Sequence, residues 1–333
     1  MLSRLVKAVA IGALLPLGAV DAAKTKKLII DTDIYSGVDD TTALLLAATL
    51  PHAEILAVNV NTASSYSALA VSAIIGHYGY TEVPIGLTRP FTDEAFFDNF
   101  GFIRGEYCSK VGYHYSNGSL PWGTAEDAWD PVALYRKTLA EQADHSVTVV
   151  SLGFFQNLAG LLNSTGDKYS PLSGPDLVKA KVLELVVMGG QYPSGAEFNF
   201  FGGTPLNTAL VINTWPTAIT FSGDNVNVLA GARLTREAPS TDPVAASYKW
   251  QIGYNVDWQT WDPFAVLYAI NGLDKLFVAQ GQGGHNYVFP NGSNTWVYDN
   301  TKNNQQWLKL KISNVTAANK LESLFLKGVR KWA

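Results

Sequence analysis

The 333-residue chain has one cysteine, Cys108, and no extended run of basic residues. A single cysteine excludes an intramolecular disulfide framework. The formal net charge of −4 and the lack of a basic run argue against nucleic acid as a partner. Beyond the first residues, no apolar stretch is long enough to cross a bilayer, so no membrane partner is expected. The negative net charge would repel a polymeric anion, whereas a small neutral or weakly charged ligand would not be repelled.

The start of the chain has the pattern of a secretory signal peptide. A basic start that includes Arg4 precedes the short apolar core Ala8–Val20, and small residues follow at Ala22 and Ala23. We therefore predict a signal peptide over residues 1–22 and a secreted mature chain, extracellular or in the lumen of the secretory pathway. N-glycosylation sequons agree with secretion and begin at four residues: Asn117, Asn163, Asn291 and Asn314.

Apolar, strand-like runs alternate with helical patterns along residues 23–333. The strand-like runs are Leu28–Ile30, Glu54–Val60, Val147–Leu152, Val182–Met188 and Thr217–Phe221. The helical patterns are Tyr66–Tyr78, Gln156–Leu162 and residues 319–332. This alternation predicts a single α/β domain with a mostly parallel, doubly wound sheet. Residues 86–127 and 272–305 are rich in Gly, Asn and turn signals, and we predict that they are long functional loops.

Four carboxylates stand between the first strand and the first helix: Asp31, Asp33, Asp39 and Asp40. The carboxyl end of a strand is where open α/β sheets bind ligands. Four like charges this close repel one another unless a positive charge joins them. Ca²⁺ or Mg²⁺, which prefer oxygen ligands, would supply that charge. The sequence therefore predicts a metal site near the start of the mature chain.

The acidic segment has two other possible interpretations. An EF-hand calcium loop starting at Asp31 would need Gly and Glu where Ser36 and Thr42 stand, so it is rejected. A phosphatase of the haloacid-dehalogenase type would use Asp31 as nucleophile and Asp33 as general acid. That interpretation leaves the pair Asp39–Asp40 without a role.

Residues 27–50 as a whole resemble the N-terminal signature of the nucleoside hydrolase family, inosine–uridine-preferring type. Three later segments resemble family motifs in the same order: Ser151–Leu158, Val187–Asn199 and Trp261–Val266. Residues 129–131 repeat the Trp-Asp-Pro of the last motif. A helix cap followed by proline explains Asp130, and order along the chain assigns the family motif to Asp262.

The resemblance implies a nucleoside hydrolase-like fold, a calcium ion and a set of roles. The metal ligands would be Asp33, Asp40, Asp262 and the backbone carbonyl of Leu152. Asp33 would also be the general base. Asp39 and Asn199 would bind the 2′- and 3′-hydroxyls of ribose, and Glu197 the 5′-hydroxyl. Met188, Phe198 and Trp261 complete the expected substrate contacts.

The chain departs from the family at two points. Asp33 stands six residues before Asp39, two more than in the common pattern, which puts the position of the base in doubt. Trp261 occupies a place where some members carry histidine, and members with tryptophan there prefer purines. The acid that protonates the leaving base is not assigned, although His114 and His285 lie in the predicted loops.

The leading hypothesis is calcium-dependent hydrolysis of the N-glycosidic bond of ribonucleosides to free base and ribose. The alternative, from another class, is a catalytically silent protein that keeps the metal and sugar site. The partner in either case is a nucleoside, and a homo-oligomer is compatible with both.

Overall fold

The computed structural model describes residues 25–35, 37–93, 106–299 and 301–332. The predicted signal peptide lies outside the described residues. Thirteen strands lie within these ranges: β1 Lys26–Thr32, β2 Ala53–Val60, β3 Ile85–Leu87, β4 Val147–Ser151, β5 Val182–Met188, β6 Ser194–Gly195, β7 Ala218–Ser222, β8 Val228–Ala230, β9 Trp258–Thr260, β10 Phe277–Gln280, β11 His285–Val288, β12 Asn294–Val297 and β13 Gln305–Leu310.

Eight strands form the central sheet, in the order β10-β13-β7-β5-β4-β1-β2-β3. Every neighbouring pair is parallel except β10 with β13, at one edge. Three short strands, β11, β12 and β6, form a second sheet, and β8 pairs with β9. The predicted mostly parallel sheet in a single α/β domain is confirmed.

Twelve α-helices connect and cover the strands: α1 Asp39–Thr49, α2 Ser65–His77, α3 Cys108–His114, α4 Pro131–Ala140, α5 Gln156–Leu162, α6 Gly174–Lys181, α7 Phe198–Phe201, α8 Pro205–Thr214, α9 Ala232–Glu237, α10 Pro243–Gln251, α11 Asp262–Asn271 and α12 Asn314–Lys331. A short 3₁₀ helix spans Ala125–Asp127. None of the helices in the described ranges combines the length and apolarity needed to cross a bilayer.

The apolar residues of β1 explain why helices cover both faces of the sheet. Successive side chains of a strand point to opposite faces. Leu28 and Ile30 belong to the core under α1, α2, α10, α11 and α12, whereas Ile29 belongs to the core under α4, α5, α6 and α8. All three are fully buried. A strand buried on both faces needs a continuous apolar run, which is what the sequence has.

The two regions predicted to be long loops contain regular structure, so that prediction was wrong in part. Residues 272–305 hold β10, β11 and β12, and residues 86–127 hold α3. Asn291 lies in the turn of the antiparallel hairpin between β11 and β12, and the Gly292 N–H closes that turn by donating to the Phe289 carbonyl at 2.9 Å. The Gly and Asn residues therefore mark tight turns, and the short strands beside them lack the length of a recognisable apolar run. The last helix also starts earlier than predicted, because Ser313 caps it through the Thr316 N–H.

Candidate active site

The carboxyl ends of four adjacent strands bring the predicted site residues to one edge of the sheet. β5, β4, β1 and β2 are neighbours in that order and run parallel. Met188 ends β5, Leu152 follows β4, Asp33 follows β1 and Asn61 follows β2. Parallel strands all end on the same side. The fold thus assembles, at one edge, residues that are up to 155 positions apart in sequence.

Three carboxylates meet at this edge: Asp39, Asp40 and Asp262. One carboxylate oxygen from each residue lies within 4.8 Å of the other two, and all three side chains are buried. Among the described residues, no lysine, arginine or histidine forms an ion pair with them. We call this set the carboxylate cluster. Buried charges without a partner are costly, and a hard divalent cation fits an all-oxygen donor set of this kind.

Burial and mutual repulsion dominate the electrostatics of the carboxylate cluster. Burial, followed by the charges of Asp33 and Asp39, holds the pKa of Asp40 well above its ordinary value. Burial, followed by the charges of Asp39 and Asp40, likewise holds the pKa of Asp262 well above its ordinary value. The Thr32 hydroxyl donates a hydrogen bond to Asp40 and offsets part of this shift. A bound cation would remove the repulsion that keeps these groups protonated.

Asp39 also binds the start of α11, a contact that the sequence did not predict. Its Oδ2 accepts hydrogen bonds from the backbone N–H groups of Trp261, at 2.9 Å, and Asp262, at 3.3 Å. Asp39 therefore caps the N-terminus of α11, although it belongs to α1. A carboxylate at a helix N-terminus satisfies free N–H groups and complements the helix dipole. This contact places Asp262 beside Asp39 and Asp40.

Asp33, the predicted base, lies at the margin of the carboxylate cluster. Within the described residues it is not one of the three carboxylates that meet within 4.8 Å. Burial, followed by the charge of Asp39, raises the pKa of Asp33 to about 8. Gly153 packs against it so closely that a Cβ there would lie 2.5 Å from the Asp33 carboxyl carbon. The side chain is thus held between the cluster and the turn after β4.

Asp31 is a positioning group rather than an open ligand. Its Oδ2 accepts a hydrogen bond from the Tyr135 hydroxyl at 2.8 Å. Its Oδ1 accepts from the Asn61 amide at 2.6 Å and from the Asn157 amide at 3.3 Å. Asn61 also bonds both backbone polar groups of Phe154, at 3.1 and 3.3 Å. Asp31 and Asn61 therefore tie the ends of β1, β2 and β4 together.

The predicted sugar-binding residues also converge. The Asn199 side-chain amide donates to the Leu152 carbonyl at 2.9 Å and contacts the Met188 sulfur at 3.0 Å. Glu197 accepts from the backbone N–H of Asn199 at 2.9 Å and of Gly190 at 3.0 Å. Burial raises the pKa of Glu197 to about 7. The polypeptide between β5 and α7 is thus folded back onto the turn after β4.

Aromatic residues line the rim of this region. Phe198 is 57% exposed, and its ring lies 5.7 Å from that of Phe154. Trp261 is half-buried against the core, and its indole N–H donates to the Asp224 carbonyl at 3.2 Å. The ring of Trp261 is therefore fixed in orientation at the start of α11.

The two histidines considered as leaving-group acids have partners elsewhere. His285 lies in β11, with its Nδ1 3.4 Å from Asp299. His114 ends α3 and contacts the rings of Tyr113 and Trp250. The leaving-group acid stays unassigned.

Comparison with known proteins agrees with this geometry. The pattern of the inosine-uridine preferring nucleoside hydrolase family matches residues 28–316. The chain belongs to this family, whose members hydrolyse N-glycosidic bonds and depend on a metal. The resemblance of the sequence to nucleoside hydrolases is therefore confirmed.

A curated relative is uridine nucleosidase 1 of Arabidopsis thaliana, 28% identical over 222 residues. This match covers 61% of the chain and spans 57% of the length of the relative.

Solved structures share the fold. An inosine-uridine preferring nucleoside hydrolase from Bacillus anthracis superposes with a TM-score of 0.64 at 15% identity, over 92% of this chain and 100% of the other. A purine-preferring ribonucleoside hydrolase from Gardnerella vaginalis gives 0.66 at 18% identity, over 92% and 99%.

Proposed function

We propose that this chain is a calcium-dependent ribonucleoside hydrolase that releases free base and ribose and prefers purines. The observation that carries the proposal is the carboxylate cluster, which is buried and has no basic partner among the described residues. Its neighbours Asn199, Leu152 and Met188 offer polar atoms on the adjoining strand ends. A metal next to hydrogen-bonding groups suits a ligand with a vicinal diol, such as ribose.

Calcium would be held by Asp40 and Asp262, with Asp33 and the Leu152 carbonyl completing the set of oxygen donors. The cation would supply a fixed positive charge that orients water and the ribose diol and favours deprotonation of that water. The Asp39 Oδ1 oxygen accepts no hydrogen bond from the α11 backbone and lies, like Asp40 Oδ2, beside Gly37. That oxygen and Asn199 are the proposed partners of the 2′- and 3′-hydroxyls, and Glu197 that of the 5′-hydroxyl.

Asp33 is the proposed general base. N-glycosidic cleavage, like O-glycoside hydrolysis, passes through a sugar with oxocarbenium character. Asp33 would accept a proton from the water that attacks the anomeric carbon. The neighbouring carboxylates would stabilise the positive charge that develops on the sugar. Removing a general base slows turnover by about 10²- to 10⁴-fold, so Asp33→Asn is expected to lower kcat far more than nucleoside affinity.

Trp261 is the proposed contact for the base. Its backbone N–H is bonded to Asp39 and its indole N–H to Asp224, so the ring is held next to the carboxylate cluster. Stacking of a base on an aromatic ring contributes about 1–3 kcal/mol in nucleic-acid proteins. A purine offers the larger face. The curated relative is named for uridine and one structural relative for purines, so the base must be determined on this chain.

We also propose that the protein is secreted as a glycoprotein. The asparagines of all four sequons are exposed: Asn117, Asn163, Asn291 and Asn314. Mass spectrometry of protein recovered from the medium of the native host is expected to find an N-terminus after Ala22 or Ala23 and glycans at these asparagines. Retention in the cytosol with an intact N-terminus would reject this proposal.

A nucleoside panel tests the function directly. Purified protein is incubated with inosine, adenosine and uridine, with calcium or with EDTA, and reducing sugar is measured. The proposal predicts release with calcium, little release in EDTA, and faster release from the purines. Binding of nucleosides without release would favour the catalytically silent protein, and cleavage of a phosphate ester with Mg²⁺ would favour the phosphatase.

A further inference from the structure

Tyr107 contacts Gly37 in the acidic loop that precedes the carboxylate cluster. The loop between Asp33 and Asp39 is two residues longer than in the common family pattern. The Tyr107 side chain is fully buried, and its hydroxyl donates a hydrogen bond to the Gly37 carbonyl in that loop at 2.7 Å. The Cys108 sulfur lies 3.9 Å from the carbonyl of Tyr35 in the same loop.

Gly37 is the part of the loop that lies against the carboxylate cluster. A Cβ placed on Gly37 would lie 3.3 Å from Asp39 Oδ1 and 3.4 Å from Asp40 Oδ2. The Gly37 backbone therefore borders the oxygen of Asp39 that α11 does not use. A shift of Gly37 would change the space available to both carboxylates.

The helix that begins after Tyr107, α3, packs closely against its neighbour. Tyr107 is the N-cap residue of α3, and α3 packs against α2. The contact is close, since a Cβ on Gly112 of α3 would lie 2.9 Å from the Leu69 Cβ. Burial raises the pKa of Tyr107 well above its ordinary value, so the hydroxyl keeps its proton and stays a donor.

We infer that Tyr107 is a positioning residue that holds the lengthened acidic loop, and through Gly37 the carboxylates of Asp39 and Asp40, in the geometry that binds the cation. The inference rests on the cation site of the proposed function. Groups that orient metal ligands without binding the metal themselves are worth about 10- to 100-fold in metal affinity or activity. The three carboxyl groups must hold fixed positions to share one cation, and Gly37 lies against two of them.

The test removes only the hydroxyl. Tyr107→Phe is compared with Tyr113→Phe, a matched change on α3 at a side chain that is 60% exposed. Calcium affinity is measured by titration calorimetry without nucleoside, and hydrogen exchange of residues 34–40 is measured in EDTA. Tyr107→Phe is expected to bind calcium about 10-fold more weakly and to exchange faster in this segment. Tyr113→Phe is expected to match wild type in both measurements.

Calcium affinity of Tyr107→Phe equal to that of wild type would overturn the inference, as would an equal loss in Tyr113→Phe. If Tyr107→Phe does not fold, exchange in wild type decides. Slow exchange of residues 37–40 in EDTA supports the inference, whereas fast exchange that calcium alone suppresses contradicts it. A protein that binds calcium but hydrolyses no nucleoside would reject the proposed function and leave this test intact.

Discussion

The tripeptide Trp-Asp-Pro occurs twice, at residues 129–131 and 261–263, and the two copies have different structures. At the first copy, Asp130 is exposed and caps its own helix, with Oδ1 accepting the Ala133 N–H at 2.9 Å. At the second, Asp262 is 4% exposed and is already the first residue of α11. Its carboxylate points into the carboxylate cluster instead of capping the helix.

The difference comes from a residue far away in sequence. Asp39 accepts the N–H groups of Trp261 and Asp262, and so performs for α11 the task that Asp130 performs for α4. With its helix capped from outside, Asp262 is free to face Asp40. The same tripeptide therefore contains a helix-capping aspartate at the surface in one place and a candidate metal ligand in the other.

Exchanging each aspartate for asparagine separates the two roles and gives the largest expected effect. Asp262→Asn is expected to weaken calcium binding by more than about 100-fold, since even groups that only orient a metal ligand are worth about 10- to 100-fold, and to abolish hydrolysis. Asp130→Asn is expected to change neither, because asparagine caps helices as well as aspartate. Calcium titration and release of reducing sugar measure both. Equal effects at the two positions would contradict the assigned roles.

The second prediction concerns the shared cap. Asp39→Asn keeps an oxygen that can accept the α11 N–H groups, whereas Asp39→Ala removes it. Both variants are expected to hydrolyse nucleosides about 10- to 100-fold more slowly, the value of a lost charge-assisted hydrogen bond of about 1.5–3 kcal/mol. Asp39→Ala alone should also lose about 1 kcal/mol of unfolding free energy relative to Asp39→Asn. Urea unfolding in EDTA measures this, and equal stability would show that Asp39 is not the cap.

The elements that form from contiguous apolar residues were predictable, whereas contacts across the fold were not. The predicted β5 and α5 agree with the structure residue for residue, and the ends of β2 and β7 differ by one residue. Asp40 and Asp262 were chosen by motif and do come together. The contact of Asp39 with Trp261 joins residues 222 positions apart, and that of Tyr107 with Gly37 joins residues 70 apart. No local pattern encodes either contact.

Replacing the tryptophan of each Trp-Asp-Pro copy is expected to have a smaller effect, on base preference. Trp261→Ala is expected to reduce the ratio of inosine to uridine hydrolysis by about 10-fold, within the range of about 1–3 kcal/mol for stacking. Trp129→Ala is the control, because Trp129 packs against the core on the opposite face of the sheet from Trp261. The ratio of kcat/KM values for the two nucleosides is the measurement. An unchanged ratio in Trp261→Ala would remove this residue from the base site.

The last prediction is a pH dependence of the stability of the cation-free protein. Burial raises the pKa of Asp31 and of Glu197 to about 7, from ordinary values of 3.8 and 4.5. The folded state then binds more protons than the unfolded chain between those values, so stability falls as pH rises from about 4 to about 7. Calorimetry in EDTA should find a lower Tm at about pH 7 than at about pH 5. A Tm that rises over this window would contradict the burial of these two groups.

Calcium dependence of nucleoside hydrolysis in the wild-type protein tests the central claim most directly. Protein stripped with EDTA is titrated with calcium while release of hypoxanthine from inosine is recorded. Release is expected to be negligible without calcium and to reach its full rate at about one calcium per chain. Undiminished release from a protein shown by elemental analysis to contain no metal would contradict it.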